Sequence, residues 1–158
     1  MARPRSVPDE TVYEAVLSLL RQGSVKAVTF SAVAERVNLA ASSLAERYGS
    51  IAGLVRAARN ASWDRLEAVT LQASAEASVD AKGALALLKA IGREGLPDLH
   101  IDPARAQAWR VQVLAALTLR LGSKSKAVIL FTAWQGQVMW RDAGLEVPRL
   151  KEILKALS

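Results

Sequence analysis

The sequence has no cysteine, one histidine, five prolines and few aromatic residues in a chain of 158 residues. Without cysteine there can be no disulfide bond, no thiolate-ligated metal and no cysteine nucleophile. The shortage of proline, together with an apolar fraction of 51% that consists largely of Ala, Leu and Val, favours helices. We therefore expect an all-α fold.

Long apolar segments are also absent. The longest apolar run is AVILF at 127–131, whereas a membrane-spanning helix needs at least ~18 consecutive apolar residues. The first ten residues, MARPRSVPDE, lack the apolar stretch of a secretion signal. We expect no membrane span and a cytoplasmic protein.

The residue patterns of common catalytic centres are missing as well. His100 is predicted to lie in a polar loop without a second histidine or an organised carboxylate beside it. The sequence contains no GxGxxG or GxxxxGK[ST] phosphate-binding loop and no glycine elbow for a serine nucleophile. We therefore predict that the chain is not an enzyme and that it uses no metal or cofactor.

The chain is basic, with a formal net charge of +6. This charge permits a polyanionic partner, but the basic residues are not gathered in one block. Residues 1–60 hold eight Lys and Arg against five Asp and Glu, and residues 61–158 hold thirteen against ten. The excess is therefore denser in the first part of the chain, although charge alone does not locate a binding site.

The first part of the chain, up to about residue 74, predicts three short helices and one long one. Apolar residues at helical spacing indicate a first helix that ends at Gly23, and Thr29 and Asn38 mark the start and end of a second. A third helix is predicted over Ala41 to Tyr48, and a long linker helix from Ile51 to about Ser74. This order is typical of a helix-turn-helix, whose second helix lies in the DNA major groove. We predict a DNA-binding domain over residues 1–50.

Residues 51–158 predict a helical bundle. Further helices are expected to begin near Asp80, Pro103, Ser125 and Val147. The helix over 125–143 has two apolar stripes, and in so short a chain a second copy is the natural cover for one of them. The sequence therefore predicts a homodimer through residues 125–157, although Trp134 and Trp140 would also suit packing within a monomer.

Residues 10–58 carry a further pattern of turn and packing residues. It consists of Thr29, Val33-Ala34, Asn38-Leu39-Ala40, Leu44, Tyr48, Gly49-Ser50, Ile51 and Leu54. This pattern resembles the N-terminal DNA-binding domain of the TetR (tetracycline repressor-like) family of transcriptional regulators. The resemblance implies a homodimer that occupies a palindromic operator in double-stranded DNA and represses transcription until a small-molecule effector binds the C-terminal bundle. The residues expected to line an effector pocket, which equally suit core packing, are Trp109, Leu114, Phe131 and Trp134.

The chain departs from the family at two phosphate-contact positions and at the position that caps the third helix. It has Ala40 in place of the usual turn serine, Ala45 in place of a phosphate-binding tyrosine and Ile51 in place of a phosphate-binding lysine. The residues expected to contact DNA instead are Arg3, Arg5, Thr29, Ser31, Ser42, Ser43, Glu46 and Arg47. Two hypotheses remain open. Either the chain reads DNA through these substitutes, or it is a TetR-like dimer that has lost operator binding and binds a protein partner or a small molecule.

Overall fold

The fold is all-α, as the composition predicts. The structure, a computed structural model, describes residues 7–98, 101–140, 144 and 147–157. Within those residues it contains eight α-helices, one 3-10 turn at Val25–Ala27 and no strand. The helices are α1 Asp9–Gln22, α2 Phe30–Val37, α3 Ala41–Tyr48, α4 Ile51–Glu76, α5 Ala81–Glu94, α6 Pro103–Leu121, α7 Lys124–Trp140 and α8 Leu150–Ala156.

The chain forms two compact units, residues 1–64 and 65–158. The boundary falls inside α4, whereas the sequence places a domain limit at the Gly49-Ser50 break before this helix. The physical reason for the difference is that the first turns of α4 contribute Leu54, Val55 and Ala58 to the core of the first unit. The beginning of α4 therefore belongs to the first unit.

The core of the first unit is built from the apolar faces of α1 to α4. Val12 and Val16 of α1, Val33 of α2 and Leu44 of α3 are each fully buried. In α1 and α2 the buried residues recur at helical spacing, and in α3 Leu44 alone is buried, so each helix keeps its opposite face exposed.

The two helices α2 and α3 are separated by a turn of three residues, 38–40. Thr29 Oγ1 accepts a hydrogen bond of 3.1 Å from the Ala32 N–H and so caps α2. Asn38 ends the helix in the left-handed conformation, with φ 53° and ψ 49°. Both features confirm the sequence prediction. Ala40 precedes α3 without a side-chain cap, because the alanine methyl group cannot accept a hydrogen bond.

The second unit packs its helices around a cluster of aromatic rings. Phe131 of α7 lies between Trp109 of α6 and Trp134 of α7. Its ring centroid is 6.0 Å from that of Trp109 and 5.5 Å from that of Trp134. The indole N–H of Trp109 donates to Thr70 Oγ1 at 2.9 Å. Because this buried polar group has a partner inside the protein, the cluster is well suited to a packed core.

Arg120 makes an unexpected contribution to this unit. Only 6% of its surface is exposed, and its guanidinium donates to the carbonyl oxygens of Ser74 and Ala77 at 2.6 and 3.1 Å. These carbonyls belong to the C-terminal end of α4, where backbone acceptors lack helical partners and a cation is favourable. Arg120 therefore caps the C-terminal end of α4, although it lies 46 residues after Ser74 in the sequence.

The turn before α5 requires a glycine inside the helix. Asp80 caps α5 by accepting a 2.7 Å hydrogen bond from the Gly83 N–H, as predicted, and the Ser78 hydroxyl also donates to it. A Cβ on Gly83 would lie 1.7 Å from the Ser78 carbonyl oxygen. In contrast, a Cβ on Gly136 of α7 would meet nothing within 4 Å.

We predict opposite effects of alanine at these two glycines. Gly83→Ala should lower the free energy of unfolding of the second unit by about 3 kcal/mol, because backbone must move to admit the methyl group. Gly136→Ala should be neutral or raise stability by up to about 1 kcal/mol, since alanine is the better helix former. Urea unfolding followed by circular dichroism measures both, and equal effects of the two substitutions would contradict the close approach at Ser78.

Candidate nucleic-acid interface

Helix α3 presents one polar, exposed face. Ser42, Ser43, Glu46 and Arg47 are all exposed, while Leu44 is fully buried in the core. The helix packs on the core through its buried side, and its opposite side is accessible to a large partner. These four exposed residues, together with Ser31, are called the α3 surface below.

The remaining predicted contact residues lie before α3. Ser31 is exposed in the first turn of α2, and Thr29 is exposed while its hydroxyl caps that helix. The packing of α2 against α3 keeps both residues in the same unit as the α3 surface. Arg3 and Arg5 lie outside the described residues.

Arg47 is engaged within the protein, which the sequence did not predict. Its guanidinium forms a 2.7 Å ion pair with Asp9 of α1 and donates to the Val7 carbonyl oxygen at 2.8 Å. The guanidinium carbon also lies 5.4 Å from the centre of the Tyr48 ring. About a third of the side chain remains exposed, at 35%. Arg47 therefore links α3 to α1. Because Asp9 partly neutralises its positive charge, Arg47 would attract a phosphate less strongly than an unpaired arginine would.

The tyrosines beside this ion pair are held in their neutral form. The Tyr48 hydroxyl donates to Asp9, and the Tyr13 and Tyr48 rings have centroids 6.1 Å apart. Burial, followed by the hydrogen bond to Asp9 and the negative charge of that carboxylate, raises the pKa of Tyr48 well above its ordinary value. Burial and the charge of Asp9 also raise the pKa of Tyr13.

Two apolar side chains near the α3 surface are partly buried. Ala45 of α3 and Ile51, the first residue of α4, are half-buried, and Ile51 packs against the core of the first unit. Ser50 Oγ accepts a 3.0 Å hydrogen bond from the Gly53 N–H and satisfies one backbone donor at the start of α4. Neither Ala45 nor Ile51 carries a polar group that could contact a phosphate.

Lys26 and Arg56 are exposed cations of the first unit that sequence reasoning overlooked. Lys26 lies in the 3-10 turn before α2, and Arg56 lies in the second turn of α4. In contrast, Arg36 donates to Ser18 Oγ at 2.9 Å and to Gln22 Oε1 at 2.7 Å. The available signal was the apolar stripe of α4 that includes Leu54 and Val55, because Arg56 falls outside it on the opposite side of the helix.

The residues expected to line an effector pocket mostly fill the core of the second unit. Trp109, Phe131 and Trp134 are 2%, 0% and 3% exposed, and Leu114 is half-buried. Trp134 also lines an open groove, whose other walls come from α5 and α8. The rings of Trp109, Phe131 and Trp134 therefore pack together in the core, and the groove lies beside them.

The comparisons with known proteins give no match. No family model, no curated protein and no solved structure is similar to this chain. None of the described helices is long and apolar enough to cross a bilayer. Within the described part of the chain, no group of three or more metal-ligating side chains is gathered in one place.

We predict that Asp9→Ala lowers the pH at which Tyr48 ionises, because it removes both a hydrogen-bond acceptor and a negative charge. In the wild-type chain the raised pKa means that the tyrosines contribute stability below pH 10, the ordinary tyrosine pKa, and that this contribution is lost as the pH rises further. Tyrosinate absorbance and urea unfolding between about pH 8 and 12 measure the two effects.

Glu10→Ala is the matched control, since Glu10 is the neighbouring exposed acid of α1 and makes only the smallest contribution to the pKa of Tyr13. It should leave the Tyr48 titration in place. Identical titration curves for Asp9→Ala and the wild type would show that Asp9 does not hold the Tyr48 hydroxyl.

Proposed function

We propose that the chain is a DNA-binding transcriptional regulator of the TetR type, in which α2 and α3 form the helix-turn-helix and α3 enters the major groove. The observation that carries this proposal is the α3 surface, a polar helix face left exposed by a helix whose apolar side is buried. Serine hydroxyls in the first turn of a recognition helix suit phosphates and base edges, and Glu46 can accept a hydrogen bond from a cytosine amino group.

Arg56 supplies a phosphate contact in place of the family's missing lysine. Side chains of a helix lean toward its N-terminus, so the long side chain of Arg56 covers the surface beside the first turn of α4. That turn begins at Ile51, the position where the family usually has its lysine. The exposed guanidinium can therefore reach a phosphate near the site that the ammonium group would have occupied.

A homodimer supplies the second reading helix that a palindromic operator requires. On α7, Ile129 is 47% exposed and lies on the same face as Gly136, about two helical turns further along. The open space at Gly136 allows another helix to approach closely. We propose that this face pairs with its copy and holds the two α3 helices about 34 Å apart, one turn of the duplex.

A second function is favoured by the charges at the tip of α3. Arg47 is already paired with Asp9, and the Glu46 carboxylate is exposed on the same helix, so the net charge near the α3 surface is less positive than a phosphate contact prefers. The alternative is a helical dimer that binds a protein partner or a small molecule and does not read DNA. The experiment that follows separates the two.

We predict that the wild-type chain enriches specific duplexes from a random-sequence DNA pool and that its affinity for them falls steeply with salt. Arg56→Ala should weaken binding across all enriched duplexes and reduce the slope of log K against log salt by about 1, since one phosphate contact is lost. Fluorescence anisotropy between about 50 and 200 mM salt measures both quantities.

Lys82→Ala is the control, because Lys82 is an exposed cation of the second unit and its removal changes the net charge equally. Its affinity and slope should match those of the wild type. Failure to enrich any duplex would favour the alternative function. Equal slopes for Arg56→Ala and the wild type would show that another residue makes the phosphate contact.

We predict that Ile129→Asp raises the dimer dissociation constant at least tenfold, because it buries a charge in an apolar contact. Sedimentation equilibrium measures the constant, and Gln107→Asp at an exposed position of α6 is the control. Trp134 and Leu154 are unsuitable for this test because both are already buried within one chain. A wild-type chain that stays monomeric at all concentrations would exclude the dimer.

A further inference from the structure

An open groove of about 880 Å³ lies within the second unit, between α5, α7 and α8. Its deepest apolar residues are Leu88 and Trp134, which are 0% and 3% exposed. The volume falls in the range of roughly 300–1,000 Å³ that is typical of small-molecule sites. The groove is thus large enough for a ligand of ordinary size, and the regulator proposal leaves it without an assigned occupant.

The groove is surrounded by positive charge. Lys89 and Arg93 are four residues apart and lie on the same face of α5, while Arg149 and Lys151 stand at the start of α8. Among the described residues that line the groove, none is acidic. Four like charges around one depression repel one another, and a bound anion would relieve that repulsion.

The walls near the groove opening are apolar. Trp140 and Val147 are 51% and 43% exposed, and Val138 and Leu85 line the groove beside them. Apolar surface in contact with water is unfavourable by about 25 cal/mol per Å², so an occupant that covers these walls gains free energy from an apolar portion of its own.

We propose that this groove binds a linear anionic amphiphile, a long-chain carboxylate whose head pairs with Arg93 and Arg149 and whose tail lies along Trp134 and Trp140. An arginine guanidinium holds a carboxylate through two parallel hydrogen bonds, which gives the head a defined position. The proposal goes beyond the regulator function and does not depend on it, because the binding concerns the second unit alone and needs no DNA.

Other ligand classes fit only half of the site. A small inorganic anion would pair with the cations but leave the tryptophan and valine walls in water. A neutral or cationic amphiphile would cover the walls but bring no negative charge to the four cations. The combination of an apolar trough and a basic rim therefore selects a molecule that has both an apolar chain and a negative head.

The test is a calorimetric titration of the full chain with laurate below its micelle concentration. Dodecanol, dodecyltrimethylammonium and inorganic phosphate are titrated in parallel, and each should bind at least tenfold more weakly than laurate. Laurate should also change the tryptophan fluorescence, because two of the four tryptophans line the groove. Equal binding of dodecanol, or no laurate binding, would overturn the proposal.

Charge reversal locates the site. Arg93→Glu and Lys151→Glu are at exposed positions and should each weaken laurate binding at least tenfold with an unchanged unfolding midpoint. Lys82→Glu, on α5 but outside the groove, should leave binding unchanged. Unaltered binding in both groove variants would overturn the proposal. The proposal would also be overturned if Arg93→Glu changed the sedimentation coefficient of the chain in the absence of laurate. The groove would then belong to a contact between two copies.

Discussion

The attachment of α3 to the rest of the first unit is the constraint on which the structure around the candidate interface depends. A helix of eight residues is too short to be stable alone in water, where about 12–15 residues are marginal. The attachment consists of the buried Leu44 side chain and of the Asp9 carboxylate, which accepts from both Arg47 and the Tyr48 hydroxyl. Leu44 and Tyr48 lie four residues apart on the inward side of α3, and Arg47 reaches Asp9 from an exposed position, so Ser42, Ser43 and Glu46 remain exposed.

This attachment has a consequence for charge. Arg47 would be the strongest cation of α3 if it were free, but its ion pair with Asp9 uses part of that charge to position the helix. An exposed ion pair contributes only about 0–1 kcal/mol, so its main effect is on geometry. The proposed phosphate contact therefore moves to Arg56 on α4, and the polar residues of α3 remain for base edges.

Local features of the fold were predictable from the sequence, and long-range ones were not. The bounds of α3, the Thr29 and Asp80 caps and the left-handed Asn38 follow from residue types within a few positions of each other, and the structure confirms them. The pairs Arg47 with Asp9 and Arg120 with Ser74 join residues about 40 positions apart, for which a single sequence has no signal. Nothing in the sequence singled out Gly83. A side chain is excluded there only by the path of the preceding turn, which the structure reveals.

The most direct test of the regulator account is a map of backbone amide chemical shifts in the ¹⁵N-labelled full chain, with and without an enriched duplex. The account predicts that the largest changes fall on residues 41–47, on the first turn of α2 and around Arg56, with small changes in α5 and α6. Changes confined to the second unit, or spread evenly over every exposed lysine and arginine, would contradict it.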